Sequence, residues 1–157
     1  MNINVAVYNV EWMVKLFDND GNLKTDDESL QRAEQLAAVI DAVDADIVGI
    51  VEGPDTTVSG TKSAAAQLEL WARHFGLDDS YRAVQGFPSG GRQELCALYK
   101  SSLVDVSHRP TLDKSKHPFN EPYIADTNES LVKEQYEHYR PPLELSVKSV
   151  ADGAEVA

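Results

Sequence analysis

Two oxygen-bearing side chains close apolar runs in this sequence: "INVAVYN" ends on the amide of Asn9, and "DIVGIVE" ends on the carboxylate of Glu52. A buried strand gains nothing from a polar tip, so the pair asks for a chemical reading. Side chains alternate along a strand, which puts Ile3, Val5, Val7 and Asn9 on one side of the first run and Val48, Ile50 and Glu52 on one side of the second. An amide oxygen beside a carboxylate suits a hard divalent cation, magnesium or manganese. Such an ion keeps several waters and takes one or two protein carboxylates plus substrate phosphate. Plainer readings stand beside this one. Asn9 can satisfy a loop backbone, and Glu52 can cap a segment or pair with a base such as Arg92.

Arg92 in "SGGR" is a candidate substrate contact, because its guanidinium offers paired donors to phosphate oxygens, and Arg140 stands as a second guanidinium at the head of "RPP". Each serves equally as a solvated charge or a structural ion pair. Tyr136 and Tyr139, beside Arg140, offer rings for stacking on a base or simply for packing. "SGG" lacks the lysine and the strand-to-helix setting of a phosphate loop. Trp12, Trp71 and Phe75 are assigned to the core.

The elements that must position these groups follow from periodicity. The β-branched opening predicts a strand over Ile3–Val10, apolar on both faces and therefore central. Thr25-Asp26-Asp27-Glu28 has the spacing of a helix capping box, and Leu30, Ala33, Leu36, Ala37, Ile40 and Val43 follow at helical intervals. "DIVGIVE" is a short strand buried on both faces. Strand, helix, strand makes a βαβ-like unit with a parallel pair, so that Asn9 and Glu52 emerge at one end of the sheet, where α/β architectures commonly bind ligands. A second helix spans "SAAAQLELWARHFG", with Ser63 as its N-cap and Gly76 ending it. Strands are expected at "YRAVQ", "ELCALYK", "LVDVSH" and "PLELSVKSV", with "GFPSGGR" turning between the first two. Between Arg109 and Arg140 the chain becomes polar, a long connection with a helix over "ESLVKEQYEHY". Asp126-Thr127-Asn128 reads as loop or helix N-cap. The fold class is thus α+β, a mixed sheet with helices on one face.

Composition sets outer limits. The chain has 157 residues, 42% of them hydrophobic, enough for one domain that buries roughly 70% of its unfolded surface. The formal net charge of -12, spread along the chain, disfavours polyanions at long range. A nucleic-acid partner would need a local basic patch or bound cations. Cys96 is the sole cysteine, which excludes an internal disulfide and a four-thiolate zinc site. No segment reaches membrane-spanning length, and the first residues lack the pattern of a signal peptide, so the expectation is a soluble, cytoplasmic protein.

"VAVYNVEWM", followed by "RAEQLAAVIDAVDADIVGIVEGP", resembles the opening of the endonuclease/exonuclease/phosphatase superfamily, the deoxyribonuclease-like metal-dependent phosphoesterases. "GGRQELCALYKSSLV" is similar to its next block and "RPPLELSVKS" to the strand after that. The resemblance implies a phosphate- or metal-positioning role for Asn9, a direct magnesium ligand in Glu52, a basic contact to substrate at Arg140, and a phosphoester substrate, nucleic acid among them. It also implies that the sequence forms the N-terminal half of a four-layer α/β/β/α sandwich. The superfamily's later blocks, a Gly-Asp-x-Asn segment and an Asp-His pair among them, do not occur in these residues. Half of such a sandwich leaves a sheet face uncovered, so self-association through that face and little turnover by this chain alone are expected. The alternative is a non-catalytic binding domain that retains the first half of the fold.

Overall fold

The computed structural model describes residues 2–55, 62–89, 92–109 and 142–156, and the backbone of 122–127 and 130–135. The elements run β1 (Val5–Asn9), a 3-10 turn (Met13–Leu16), α1 (Asp27–Val43), β2 (Ile47–Val51), α2 (Ala64–His74), β3 (Tyr81–Gln85), β4 (Cys96–Lys100), β5 (Val104–His108), β6 (Pro122–Thr127), β7 (Ser130–Gln135) and β8 (Leu145–Ser149).

Four strands form a mixed sheet in the order β1-β2-β4-β3. β1 and β2 are parallel, with Val5 opposite Ile47 and Asn9 opposite Val51, and β4 runs antiparallel to both β2 and β3. The parallel pair follows from the crossover through α1, which packs onto the sheet between them. α1 begins one residue later than the capping-box spacing predicts. Asp26 is the N-cap, its carboxylate accepting from Ser29 N–H at 2.9 Å, and hydrogen bonding from that amide holds the acid below its ordinary range. Ser63 caps α2 as expected, and Gly76, at φ 67°, follows its end.

Both helices cover one face of the sheet. Ala33, Leu36, Ala37 and Ile40 of α1 and Ala64, Leu68, Trp71 and Ala72 of α2 pack with Val48, Ile50, Cys96 and Leu98. The indole of Trp71 is fully buried and donates from Nε1 to the Ala33 carbonyl at 3.1 Å, which ties the two helices together. On the opposite face Ile47 and Ala97 meet Val104 and Val106, with Leu143, Leu145 and Val147 beside them. These belong to a second sheet in which β5 and β8 pair antiparallel.

Three expectations need correction. β1 stands at the end of the sheet order, not at its centre, and Val5 and Val7 are 66% and 74% exposed. Apolar residues on both faces of a strand report hydrophobic character, and that character does not establish that both faces are covered. Trp12 is 45% exposed and lies outside the core. "ESLVKEQ" is not helical: Ser130–Gln135 pairs antiparallel with Pro122–Thr127 as a hairpin. Strand pairing has overridden a helical spacing that was about three turns long, and it places Asp126 and Thr127 in a strand instead of a loop. Asn128, Tyr136, Tyr139 and much of the long connection lie outside the described residues, as do Gly90 and Gly91 of the turn after β3.

The start of β2 is fastened to the end of β4 by charge. Lys100 Nζ lies 2.7 Å from Asp44 Oδ1 and 3.7 Å from Asp46 Oδ1, and Tyr81 donates its hydroxyl to the Ala45 carbonyl at 2.8 Å. The hydrogen bond to Asp44 raises the Lys100 pKa above 10.5, and burial raises that of Tyr81 above 10.0. The folded chain therefore keeps both protons to higher pH than the unfolded chain does. The stabilisation is complete below those values and is lost as pH climbs through the raised ones. Urea midpoints measured at increasing alkalinity are expected to fall beyond about pH 10, and Lys100→Gln is expected to make the fall shallower.

Candidate functional site

Strand alternation alone would send Asn9 and Glu52 to opposite faces, because Asn9 lies opposite Val51 and Glu52 follows one residue later. The backbone prevents this. Glu52 leaves the strand in the left-handed region, φ 64°, and its carboxylate turns toward the chain that emerges from β1. Asn9 Oδ1 accepts from Glu11 N–H at 2.9 Å, while Glu52 Oε2 accepts from Trp12 N–H at 3.1 Å. The two oxygen-bearing side chains thus accept from consecutive backbone amides, beyond the C-terminal ends of two parallel neighbours.

The corner between β1 and the 3-10 turn is held from several directions. Val10 N–H donates to Val51 O and Met13 N–H to Glu52 O, both at 3.0 Å. From α1, Arg32 Nη2 donates to Val10 O at 3.2 Å and also to Glu11 O. Gln93 Nε2, on the segment leading into β4, donates to Glu52 Oε2 at 3.2 Å and completes the orientation of that carboxylate. Gln93 is almost fully buried, so this donor cannot swing away.

Beyond Glu52 the chain passes through a tight place. A Cβ on Gly53 would come 3.1 Å from the Glu94 carbonyl and 3.2 Å from Cys96 Sγ, and Gly53 N–H donates to that same carbonyl at 2.9 Å. A larger residue here would need the Glu94 carbonyl and Cys96 to give by a few tenths of an ångström, so the close approach favours glycine. Two buried carboxylates stiffen the surrounding loops. Glu94 Oε2 accepts from Ser89 N–H at 2.7 Å, and Asp55 Oδ2 receives Arg92 Nε at 2.5 Å. Gln67 of α2 donates to the Asp55 carbonyl at 2.7 Å. Burial first, and the nearby Glu94 charge second, push the Cys96 thiol far above its ordinary value, so this cysteine is a packing residue and not a nucleophile.

Of the four residues singled out by sequence, Asn9 and Glu52 accept from the adjacent amides of Glu11 and Trp12. Arg92 pairs with Asp55, not with Glu52, and Arg140 lies outside the described residues. Among the described residues no group of three or more His, Cys, Asp or Glu side chains is arranged to hold a metal ion. An oxygen set of one carboxylate and one amide fits magnesium, which tolerates few protein ligands, and does not fit a softer metal that needs histidine or thiolate. Sequence reasoning gave Arg32 no part in the site. It did not find Gln93, Asp55 or Glu94 as supports, because each acts through a backbone or side-chain partner distant in sequence.

No protein-family model matches the chain. No curated protein matches it. Among solved structures it is similar to the crystal structure of humanized D. rerio TDP2 by 14 mutations, at 16% identity and a TM-score of 0.37, over 87% of this chain. The chain spans 43% of the length of that structure. Among the described residues, no helix is long and apolar enough to cross a membrane.

Removing the Arg92 guanidinium takes the cation from a carboxylate whose side chain has no solvent exposure. Arg92→Ala is expected to lower unfolding free energy by about 1–2 kcal/mol, the modest end for a charged hydrogen bond because the arginine side faces water. Arg92→Lys is expected to recover part of it, both read from urea denaturation.

Proposed function

We propose that the chain contributes the amide and carboxylate ligands of a magnesium-dependent phosphoesterase site that hydrolyses phosphodiester or phosphomonoester bonds. The observation that carries this reading is the convergence of Asn9 and Glu52 on the consecutive amides of Glu11 and Trp12. The sequence resemblance to the endonuclease/exonuclease/phosphatase superfamily agrees with it. Glu52 would hold the cation, and Asn9 would position it or a phosphoryl oxygen. Magnesium, with manganese as its substitute, supplies positive charge to the reacting phosphoryl oxygens and acidity to a coordinated water. What the chain's own groups do is orientation. Gln93 and the Trp12 amide fix one oxygen of the Glu52 carboxylate, so the direction of its lone pairs is set before any ligand arrives. Arg92 sits in the adjoining loop with its side chain 60% exposed, and beyond its bond to Asp55 it offers further N–H donors to a phosphate. Arg140 is assigned the same role from sequence.

The test is hydrolysis of a generic phosphodiester by the protein that carries this chain, with and without magnesium, beside Glu52→Gln. Turnover is expected to need the metal and to fall by on the order of 10²-fold in the variant. Hydrolysis that ignores magnesium, or a fully active Glu52→Gln protein, would refute the reading.

A different observation favours a second reading, a non-catalytic interaction domain. Val5, Val7, Val51, Leu95, Leu143 and Leu145 line an apolar groove of about 380 Å³ on the face of the sheet away from the helices. Its occupant in this reading is a second copy of the chain, whose equally exposed Val5 and Val7 would be buried against it. The net charge of -12 on each copy opposes the pairing, so added salt is expected to strengthen it. Sedimentation velocity is expected to show association that grows with salt and diminishes in a Val5→Thr, Val7→Thr double variant. A monomer at every concentration and salt level would exclude it.

A further inference from the structure

The backbone after β1 passes through two consecutive non-glycine residues in the left-handed region, Glu11 at φ 50° and Trp12 at φ 61°. Glycine or asparagine takes such a conformation at little cost, whereas a bulky side chain in it is a true outlier. Burial of the indole itself does not offset the strain, because Trp12 is 45% exposed while Met13 and Leu16 in the same turn are buried. The residue is kept in place from below by Glu52, which accepts from the Trp12 amide through its carboxylate and from the Met13 amide through its carbonyl. The ammonium of Lys15 lies 5.0 Å from the centroid of the indole. A strained backbone therefore displays the largest flat side chain available, directly on the residue that fixes Glu52, with a cation over its ring. Strain of this kind persists only where the surrounding structure maintains it, and it clusters at active and ligand-binding sites.

We propose that Trp12 is a stacking platform for an unpaired nucleobase, and that the substrate class is a short single-stranded oligonucleotide whose phosphoester lies beside the stacked base. The identity of the neighbouring phosphoester rests on the phosphoesterase reading above, while the platform itself is measurable without turnover. An indole stacks on the π-face of any base, which gives affinity with little sequence preference. Bases within a duplex already stack on both sides, so the platform selects unpaired ends. Lys15 adds a local positive charge for the adjoining phosphate in a chain whose overall charge of -12 repels longer polyanions, which favours short substrates.

The experiment compares a dye-labelled trithymidylate with an abasic trimer of the same backbone, using fluorescence anisotropy on the 157-residue chain. The wild-type chain is expected to bind the base-bearing trimer at least about fivefold more tightly, the lower end of the stacking range. Its intrinsic fluorescence is expected to be quenched on binding, since Trp71 is fully buried and Trp12 is the accessible indole. Trp12→Asn suits the left-handed backbone and is expected to keep or raise the melting temperature while abolishing the preference. Trp12→Phe is expected to retain part of it. Equal binding of the two trimers, no binding of either, or a preference that survives Trp12→Asn would overturn the proposal. Magnesium-dependent hydrolysis of a base-free diester by the protein that carries this chain, measured in parallel, separates the two readings. Hydrolysis without base preference removes the platform alone, and base preference without hydrolysis supports the platform while removing the phosphoesterase.

Discussion

The corner after β1 depends on one residue some forty positions away. Where β1 ends, the amides of residues 10 to 13 lose the regular ladder and need acceptors, and an unpaired buried amide is costly. Val51 and Glu52 accept from three of them, through two carbonyls and one carboxylate oxygen. Arg32 satisfies the carbonyls on the other side of the same corner. The left-handed turn at Glu52 makes this possible by abandoning strand geometry one residue after β2. Without that turn the carboxylate would point into the helix-covered face beside Val48 and Ile50, where a charge has no partner.

The same arrangement explains why the question raised by a charge at a strand tip has two compatible answers. Glu52 is a structural acceptor, as the plainer reading held, and in the proposed function the same oriented carboxylate holds the cation. An oriented carboxylate is what a weakly bound, well-hydrated cation needs, because such an ion offers little energy to reorganise its ligands. Asp55, Glu94 and Gln67 extend this logic outward. Each is buried, and each holds a loop backbone or a charged partner.

Much of the fold was legible because it rests on local signals. The apolar spacing of α1, the Ser63 cap and Gly76 terminator of α2, and the run Tyr81–Gln85 all appear as the periodicity predicts. The parallel pairing of β1 with β2 followed from the helix between them. What periodicity does not carry is the neighbour across an edge. Val5 and Val7 have the residue types of a covered strand, and only the strand order reveals that they are open. Trp12 went to the core for the same reason, since hydrophobic character does not report backbone conformation. At the site, residue type and strand position found Asn9 and Glu52. They did not find that alternation opposes the pair and that a left-handed residue restores it, because Glu52 carries none of the glycine or asparagine identity that signals such a turn.

The position of β2 shapes how the chain must assemble. Its parallel partner β1 lies about 40 residues earlier and its antiparallel partner β4 about 50 later, so neither ladder is local. Closing loops of that length costs on the order of 3 kcal/mol each before any pairing returns it. The α1–β2 segment can form early by itself, but the sheet gains its second and third strands only through distant encounters. That topology belongs with slow-folding mixed domains, and it leaves the flanks of β2 open to mispairing until β1 and β4 arrive.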